Sequence, residues 1–316
     1  MNADKRRHAV DPIQNPKSKI QNNTTATPPN ASSQPAGTLY IVGTPIGNLE
    51  DITLRALRIL KDVGLIAAED TRRTRKLLSH YDIHTPLVSY HEHNKLAKTP
   101  MLIAKLKEGP SVALVSDAGM PGISDPGHDL IVAALKVGIG VTVVPGPSSI
   151  IAALVLSGLP TAEFCFAGFA PRKPGERSRF LEKVLTREAT SVLFESPTRL
   201  VSLLEAIAQF APEREIAVAR ELTKKFEEVM RGTAAQVAAH FREHTPLGEC
   251  VVLLHGAMPS ETLARTETPP HPRELVDTLM RERGLSKKDA MRHAAQQLGL
   301  SRREVYKALL QPKPAE

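Results

Sequence analysis

The chain has 316 residues, of which 41% are hydrophobic, enough for two domains with buried cores. No apolar run approaches the length of a membrane span, since the longest candidate, 150–156, is bracketed by Pro147 and Gly158. Cys165 and Cys250 both sit inside apolar runs and read as buried thiols, which excludes a disulfide framework and a zinc site.

The net charge of +7 is unevenly placed. Residues 1–36 carry five Lys/Arg against two Asp/Glu, and residues 270–316 carry ten against six, leaving 26 of each sign in between. A basic arm beside a balanced body suits a polyanion such as RNA, which +4 over a small helical segment favours only modestly over a solvated surface. Residues 1–36 read as a disordered leader, rich in Pro and Asn and without the central apolar region of a signal peptide. The expected location is therefore cytoplasmic.

From residue 37 strand and helix patterns alternate: 39–42, 52–61, 65–68, 71–78, 87–89, 96–107, 112–115, 130–136, 141–144 and 149–156. Asp51 reads as the N-cap of the first helix and Ser148 as that of the last. Strict alternation predicts a mainly parallel sheet covered on both faces, an N-terminal α/β domain over 37–157. Gly158-Leu159-Pro160-Thr161 breaks the pattern. Strands at 164–169, 192–195, 215–220, 227–231 and 250–255, with helices at 177–185, 197–210 and 234–241, predict a second, mixed α/β domain over 158–257. Ser196-Pro197 is a helix start, serine as cap and proline in the first turn. A Pro-, Thr- and Glu-rich linker, 258–272, then leads to a small helical domain, 273–312, with helices at 273–283, 287–298 and 302–310. The last two resemble a helix-turn-helix, with Ser301 as cap and Arg302, Arg303 and Lys307 as candidate RNA contacts; a plain helical cap is the alternative.

Three strand ends empty into loops rich in small residues: Gly43-Thr44-Pro45-Ile46-Gly47-Asn48, residues 116–127 (Ser-Asp-Ala-Gly-Met-Pro-Gly-Ile-Ser-Asp-Pro-Gly), and Pro145-Gly146-Pro147-Ser148-Ser149. One such loop is an ordinary tight turn. Three fit the rule that open α/β sheets bind ligands beyond the carboxyl ends of their strands. None has the G-x-G-x-x-G spacing of a dinucleotide turn or the Gly-Lys-Ser/Thr of a phosphate loop, so NAD and ATP drop in rank. His91-Glu92-His93 has metal-binding residue types, but nothing nearby completes a ligand set; a polar loop and no metal are expected.

These loops, together with Ala67-Ala68-Glu69-Asp70-Thr71-Arg72-Arg73, Phe194-Glu195-Ser196-Pro197-Thr198-Arg199-Leu200 and residues 219–228, resemble the tetrapyrrole methylase superfamily. Within it they look like the small-subunit ribosomal RNA methyltransferase I branch, which methylates a cytidine 2′-hydroxyl in 16S rRNA. The segments run in order across residues 38–256; the tail before Gly37 is the departure from the family pattern. The resemblance implies two α/β domains with a cleft between them for S-adenosylmethionine. It places Pro45, Ser116, Asp117, Ala118, Gly119, Ile123, Ser124, Ser148 and Ser149 at the cofactor from the first domain, and Phe194 and the segment that begins at Gly248, 248–252, from the second. It also implies a homodimer.

A ribose hydroxyl is a poor nucleophile at neutral pH, and Glu69, Asp70, Glu195 and Lys224 are the candidates to assist it; each could instead belong to an ion pair. Arg72 and Arg73 open a helix and are expected to face RNA, whereas Arg220, which follows a strand interior, is expected to pair within the protein. The alternatives are a methylase of a small tetrapyrrole, which would not need the basic appendage, and a non-enzymatic ribosome-assembly factor. Neither DNA nor a membrane is an expected partner.

Overall fold

The computed structural model describes residues 36–244, 246–257, 272–283, 286–298 and 300–310. Five strands, β1 (Leu39–Val42), β2 (Leu65–Ala68), β3 (Leu87–Ser89), β4 (Val112–Val115) and β5 (Val141–Val144), form a sheet in the order β3-β2-β4-β1-β5. Every pairing in it is parallel. Alternate residues of a strand face opposite sides, so Leu39 and Ile41 of β1 enter one core while Val42 enters the other. Helices α1 (Leu54–Asp62) and α2 (Thr71–His80) cover the Val42 side; α3 (Lys95–Lys107) and α4 (Gly127–Lys136) cover the Leu39 side.

The first helix does not start where its sequence suggests. Asp51 closes a single 3₁₀ turn, Leu49–Asp51, which Asn48 caps, and the buried, extended Ile52 separates that turn from α1. The cap of α1 is Thr53, whose Oγ1 accepts from the Ala56 N–H at 3.1 Å.

The second sheet contains β6 (Phe164–Phe169), β7 (Thr190–Glu195), β8 (Glu215–Arg220), β9 (Glu228–Thr233) and β10 (Cys250–Leu254), ordered β6-β7-β10-β8-β9. It is mixed, as expected: β6 and β7, joined through helix α6 (Pro174–Leu185), run parallel, and the other pairs are antiparallel. Proline in the first turn starts α6 ahead of the expected residue 177. Ser196 holds the N-cap position of α7 (Pro197–Phe210), but its hydroxyl lies against Thr198 Oγ1 rather than capping a backbone N–H. Helix α6, α7 and α8 (Ala234–Glu243) cover one face of this sheet, over Leu193, Ile216, Val218 and Val252.

The opposite face, Val192, Ala217, Ala219, Val251 and Leu253, is covered by α5 (Ser149–Ser157), the last helix of the first α/β run. Ile150, Ala153 and Leu154 of α5 are buried there, and Ile46 from the loop after β1 joins the same cluster. The loop after β1 therefore lies against the second sheet. Asn48 N–H donates to Thr223 Oγ1 at 3.0 Å, and a Cβ on Gly47 would sit 2.6 Å from the Leu222 carbonyl oxygen, so only glycine permits this approach.

Beyond residue 271, α9 (Pro272–Arg283), α10 (Lys287–Leu298) and α11 (Arg302–Leu310) enclose a small core of Val276, Leu279, Ala290, Ala294, Ala295 and Val305. Ser301 caps α11 as expected: its Oγ accepts from Glu304 N–H at 3.3 Å, while Glu304 Oε2 accepts from Ser301 N–H at 2.6 Å. The expected leader and linker fall outside the described residues, apart from Ala36 and Pro272. Among the described residues, no helix is long and apolar enough to cross a membrane.

Candidate active site

A cleft of about 360 Å³ opens where the strand-end loops of the first sheet meet the β7 and β10 region of the second. Ile46, Ala118 and Ser149 line it from the first side. Phe169, Phe194, Glu195, Ser196, Pro197, Leu222 and residues 248–251 line it from the second. Phe194 is held by Phe166 and Phe169, ring centroids 4.8 and 5.6 Å away, so it presents a fixed apolar surface. Leu222 stands between Glu221 and Thr223, whose φ values are +51 and +65. Two non-glycine residues in the left-handed region beside a cleft mark a turn whose shape is imposed by its surroundings. Gly248 has φ +82 and lies against Glu221, where a Cβ would come within 1.9 Å of Oε1. Cys250 lines the cleft as a neutral thiol, since burial pushes it up to about 11.

Of the residues expected at a cofactor, Ala118, Ser149, Phe194 and Gly248 line this cleft together. The others stand just behind or beside them. Ser116 is buried and spends its hydroxyl on the Ala118 and Gly119 carbonyl oxygens, both at 3.4 Å. Gly119 exchanges backbone hydrogen bonds with Thr44, which ties the loop after β4 to the loop after β1 next to the half-buried Pro45. Ile123 and Ser124 are exposed, further along a turn that Asp125 holds by accepting from the Gly122 and Gly127 N–H groups. Ser148 is the N-cap of α5, accepting from Ile151 N–H. Asp117 Oδ1 accepts from Asp70 N–H at 2.9 Å, and its Oδ2 lies 3.6 Å from Arg73 Nε. Glu249, Cys250 and Val251 of the expected 248–252 segment also line it, whereas Ile46, Phe169 and Leu222 were not expected; their types are ordinary, and only the meeting of the two sheets brings them here.

The candidate proton-handling groups differ sharply. Glu69 Oε2 accepts from Asp117 N–H at 3.3 Å. Burial, followed by the Asp117 and Asp125 carboxylates, lifts Glu69 above the usual carboxylate range, outweighing that hydrogen bond and Arg73. Asp70 goes the other way: Arg72, bonded to both of its oxygens, holds it at about 2. Glu195 has a fully buried carboxylate that accepts from Ser196 N–H at 2.8 Å and lies 3.1 Å from Arg199 Nη2. Burial pulls the Lys224 ammonium down, but Glu221 at 2.8 Å and Glu249 at 3.5 Å together outweigh it and raise it. Lys224 is thus a poor proton acceptor, and Asp70 is a weak one.

Arg73 links the two sides, with Nη1 at 4.0 Å from Glu249 Oε1 as well as the Asp117 contact. Arg72 folds back on Asp70 yet stays 84% exposed. Arg220, the last residue of β8, pairs with Glu228 within the protein, as expected. Arg303 and Lys307 of α11 are exposed, and the side chain of Arg302 lies outside the description. Among the described residues, no group of three or more His, Cys, Asp or Glu could hold a metal ion.

The profile of Tetrapyrrole (Corrin/Porphyrin) Methylases matches residues 38–238. A protein of Halalkalibacterium halodurans named ribosomal RNA small subunit methyltransferase I is 45% identical over 274 residues, 85% of this chain and 93% of that one. The Thermotoga maritima protein of the same name is 49% identical over 220 residues, 70% and 99% of the two chains. Among solved structures, uroporphyrin-III-C-methyltransferase from Thermus thermophilus superposes with a TM-score of 0.51 at 26% identity, covering 69% of this chain and 94% of that one. Cobalt precorrin-4 methyltransferase shares the fold, with a TM-score of 0.53 at 19% identity over 69% and 94% of the chains.

Proposed function

Because this chain belongs to the tetrapyrrole (corrin/porphyrin) methylase family, we propose that its cleft is a methyl-transfer site acting on the 2′-hydroxyl of a cytidine in 16S rRNA. The chain is an S-adenosylmethionine-dependent methyltransferase. That cofactor, when bound, offers a methyl group on a cationic sulfonium and carries no phosphate. The lining residues suit it: none is Lys or Arg, so a phosphate would find no cation, whereas Ile46, Ala118, Phe194, Leu222 and Val251 provide an apolar seat. A volume of about 360 Å³ falls within the ~300–1,000 Å³ of small-molecule pockets. Ser149, Ser196 and Glu249 are the polar groups available to orient the ligand.

Positioning the acceptor in line can supply about 7–11 kcal/mol of the acceleration, and a base adds on the order of 10²–10⁴-fold. Glu69 is the residue we assign as base. Its raised carboxyl brings it closer to the working pH than Asp70, and Glu195 is locked by Arg199 and Ser196. Asp117, next to the cleft-lining Ala118, holds Glu69 by its N–H, and Arg73 spans from Asp117 to Glu249. Exposed Arg303 and Lys307 would contact rRNA phosphates from the appended helices.

The homodimer belongs to the same proposal. Leu135, Val137, Val143, Ile151 and Val155 are exposed along α4, β5 and α5, and β5 is an edge strand of the first sheet. A second copy would cover them. A ribosomal substrate would place the reaction in the cytoplasm.

The single observation that carries the rRNA reading is the set of relatives at 45–49% identity over nearly their whole length, against 26% for the porphyrin methylase. Small ribosomal subunits from a strain lacking the gene, incubated with the protein and S-adenosylmethionine, should gain one ribose-methylated cytidine, detected by mass spectrometry of nuclease fragments. Subunits that gain no ribose methylation would end this reading, and methylation of a tetrapyrrole would support the alternative.

A further inference from the structure

We propose that the outward face of α2, built from Arg72, Arg75, Lys76, Ser79 and His80, is an RNA-backbone contact surface that leads the substrate to the cleft; this rests on the rRNA reading above. These residues line a shallow trough on the protein surface. Helix α2 contains Arg72, Arg73, Arg75 and Lys76 and no carboxylate. Thr74, Leu77 and Leu78 face the core, so the charged side chains all project outward.

A solvated helix face would not be built this way. Cations near a helix N-terminus oppose the macrodipole, and like charges spaced three or four residues apart, as in Arg72 with Arg75 and Lys76, repel one another. Asp70 at the N-cap and Asp117 offset only Arg72 and Arg73. Among the described residues, Arg75 and Lys76 have no carboxylate within ion-pair distance. Residues 37–269 as a whole carry equal numbers of each charge, so this is a local concentration of positive charge and not general basicity. Repulsion kept in an otherwise neutral body is the signature of a group that is neutralised by a ligand.

Position supplies the second half of the argument. Helix α2 begins immediately after Glu69 and Asp70, and Arg73 reaches from it to the cleft-lining Glu249 at 4.0 Å. A phosphate chain lying on Arg75 and Lys76 would therefore continue toward the cleft. Contacts of this kind position a strand without reading its bases, so the effect should be independent of sequence.

The test compares wild type with an Arg75→Ala/Lys76→Ala double variant, using 16S rRNA transcribed in vitro, small ribosomal subunits and a salt series. The variant should bind the transcript at least about tenfold more weakly at low salt. Its log–log salt slope should flatten by roughly 1.4, at about 0.7 per lost phosphate contact. S-adenosylhomocysteine binding should be unchanged, which excludes misfolding. Lys136→Ala, which removes an exposed cation from α4 on the opposite face of the sheet, should bind RNA as wild type does. Unchanged affinity and slope in the double variant, beside a wild type that methylates subunits, would overturn this surface alone. Loss of binding to whole subunits with normal transcript binding would overturn it in favour of a ribosomal protein. Wild-type protein that methylates no subunit would instead overturn the functional reading itself.

Discussion

The two walls of the cleft are made in opposite ways. On the first side, loops dense in Gly, Pro, Ser and Asp turn most of their polar groups on each other: Ser116 on Ala118 and Gly119, Asp117 on Asp70, and Asp125 on Gly122 and Gly127. Only Ile46, Ala118 and Ser149 of that side line the space. On the second side, ordinary residues such as Phe194, Leu222 and Val251 form most of the lining. The first side thus contributes a rigid shape with Glu69 and Asp70 behind it, and the facing sheet contributes lining area. Changes on the first side should therefore affect turnover, and changes on the second should affect affinity.

The largest expected effect is at Glu69. Glu69→Gln should lower turnover by about 10²-fold or more while S-adenosylhomocysteine binding, by calorimetry, stays near wild type. A base must be ionised, so wild-type activity should fall as pH drops through the Glu69 value, which burial first and then Asp117 and Asp125 raise above that of an ordinary glutamate. The glutamine variant should lack that limb. The linked stability has the opposite sense: a raised folded pKa stabilises at low pH, and the contribution is lost as pH rises through it. A turnover loss under threefold would remove Glu69 from the chemistry.

Gly248→Ala is next. The new Cβ meets Glu221 and the backbone needs φ +82, so the turn must move and the cleft with it. Cofactor affinity should fall on the order of tenfold to a hundredfold, about 1.4–2.7 kcal/mol. Phe194→Ala, which removes the ring packed on Phe166 and Phe169, should weaken binding about tenfold, or ~1.4 kcal/mol, with turnover of bound substrate nearly kept. Wild-type affinity in both variants would break the comparison on its second side.

The smallest effect should come from Asp117→Asn. The amide oxygen can still accept from Asp70 N–H; the half-exposed pair with Arg73 is lost, worth about 0.2–1 kcal/mol, and Glu69 loses one of the two carboxylates that help to lift it, which bears on turnover and not on cofactor affinity. Calorimetry should show at most about a fivefold change in cofactor affinity. A hundredfold loss would mean that the loop after β4 holds the ligand directly, and the two walls would then share the work.

Much of this was legible from residue order. Strands β1 to β5 follow from short apolar runs, the mixed second sheet from strand runs that are not flanked by a long helix on every side, β8 passing to β9 without one, and the helix starts at Ser148 and Ser301 from their capping chemistry. Asp51 misleads because two capping residues lie a few positions apart, and the buried Ile52 decides for Thr53. Among the residues that line the cleft, Ala118, Ser149, Phe194 and Gly248 were singled out by their motifs, but Ile46, Phe169 and Leu222 carry no chemical signal that a sequence could display.

What the sequence by itself determined is therefore local and periodic: which segments are strands and helices, where the loops bend, and to which family those loops belong. The tertiary structure alone decided that α5 leaves its own sheet to cover the other, that Leu222 and Val251 face Ala118 across a cleft, and that Glu69 rather than Asp70 is the raised carboxyl. The physical reason is range. Hydrogen bonding and side-chain periodicity act over a few residues and are written in order, whereas burial and the sum of neighbouring charges depend on groups brought together from distant parts of the chain.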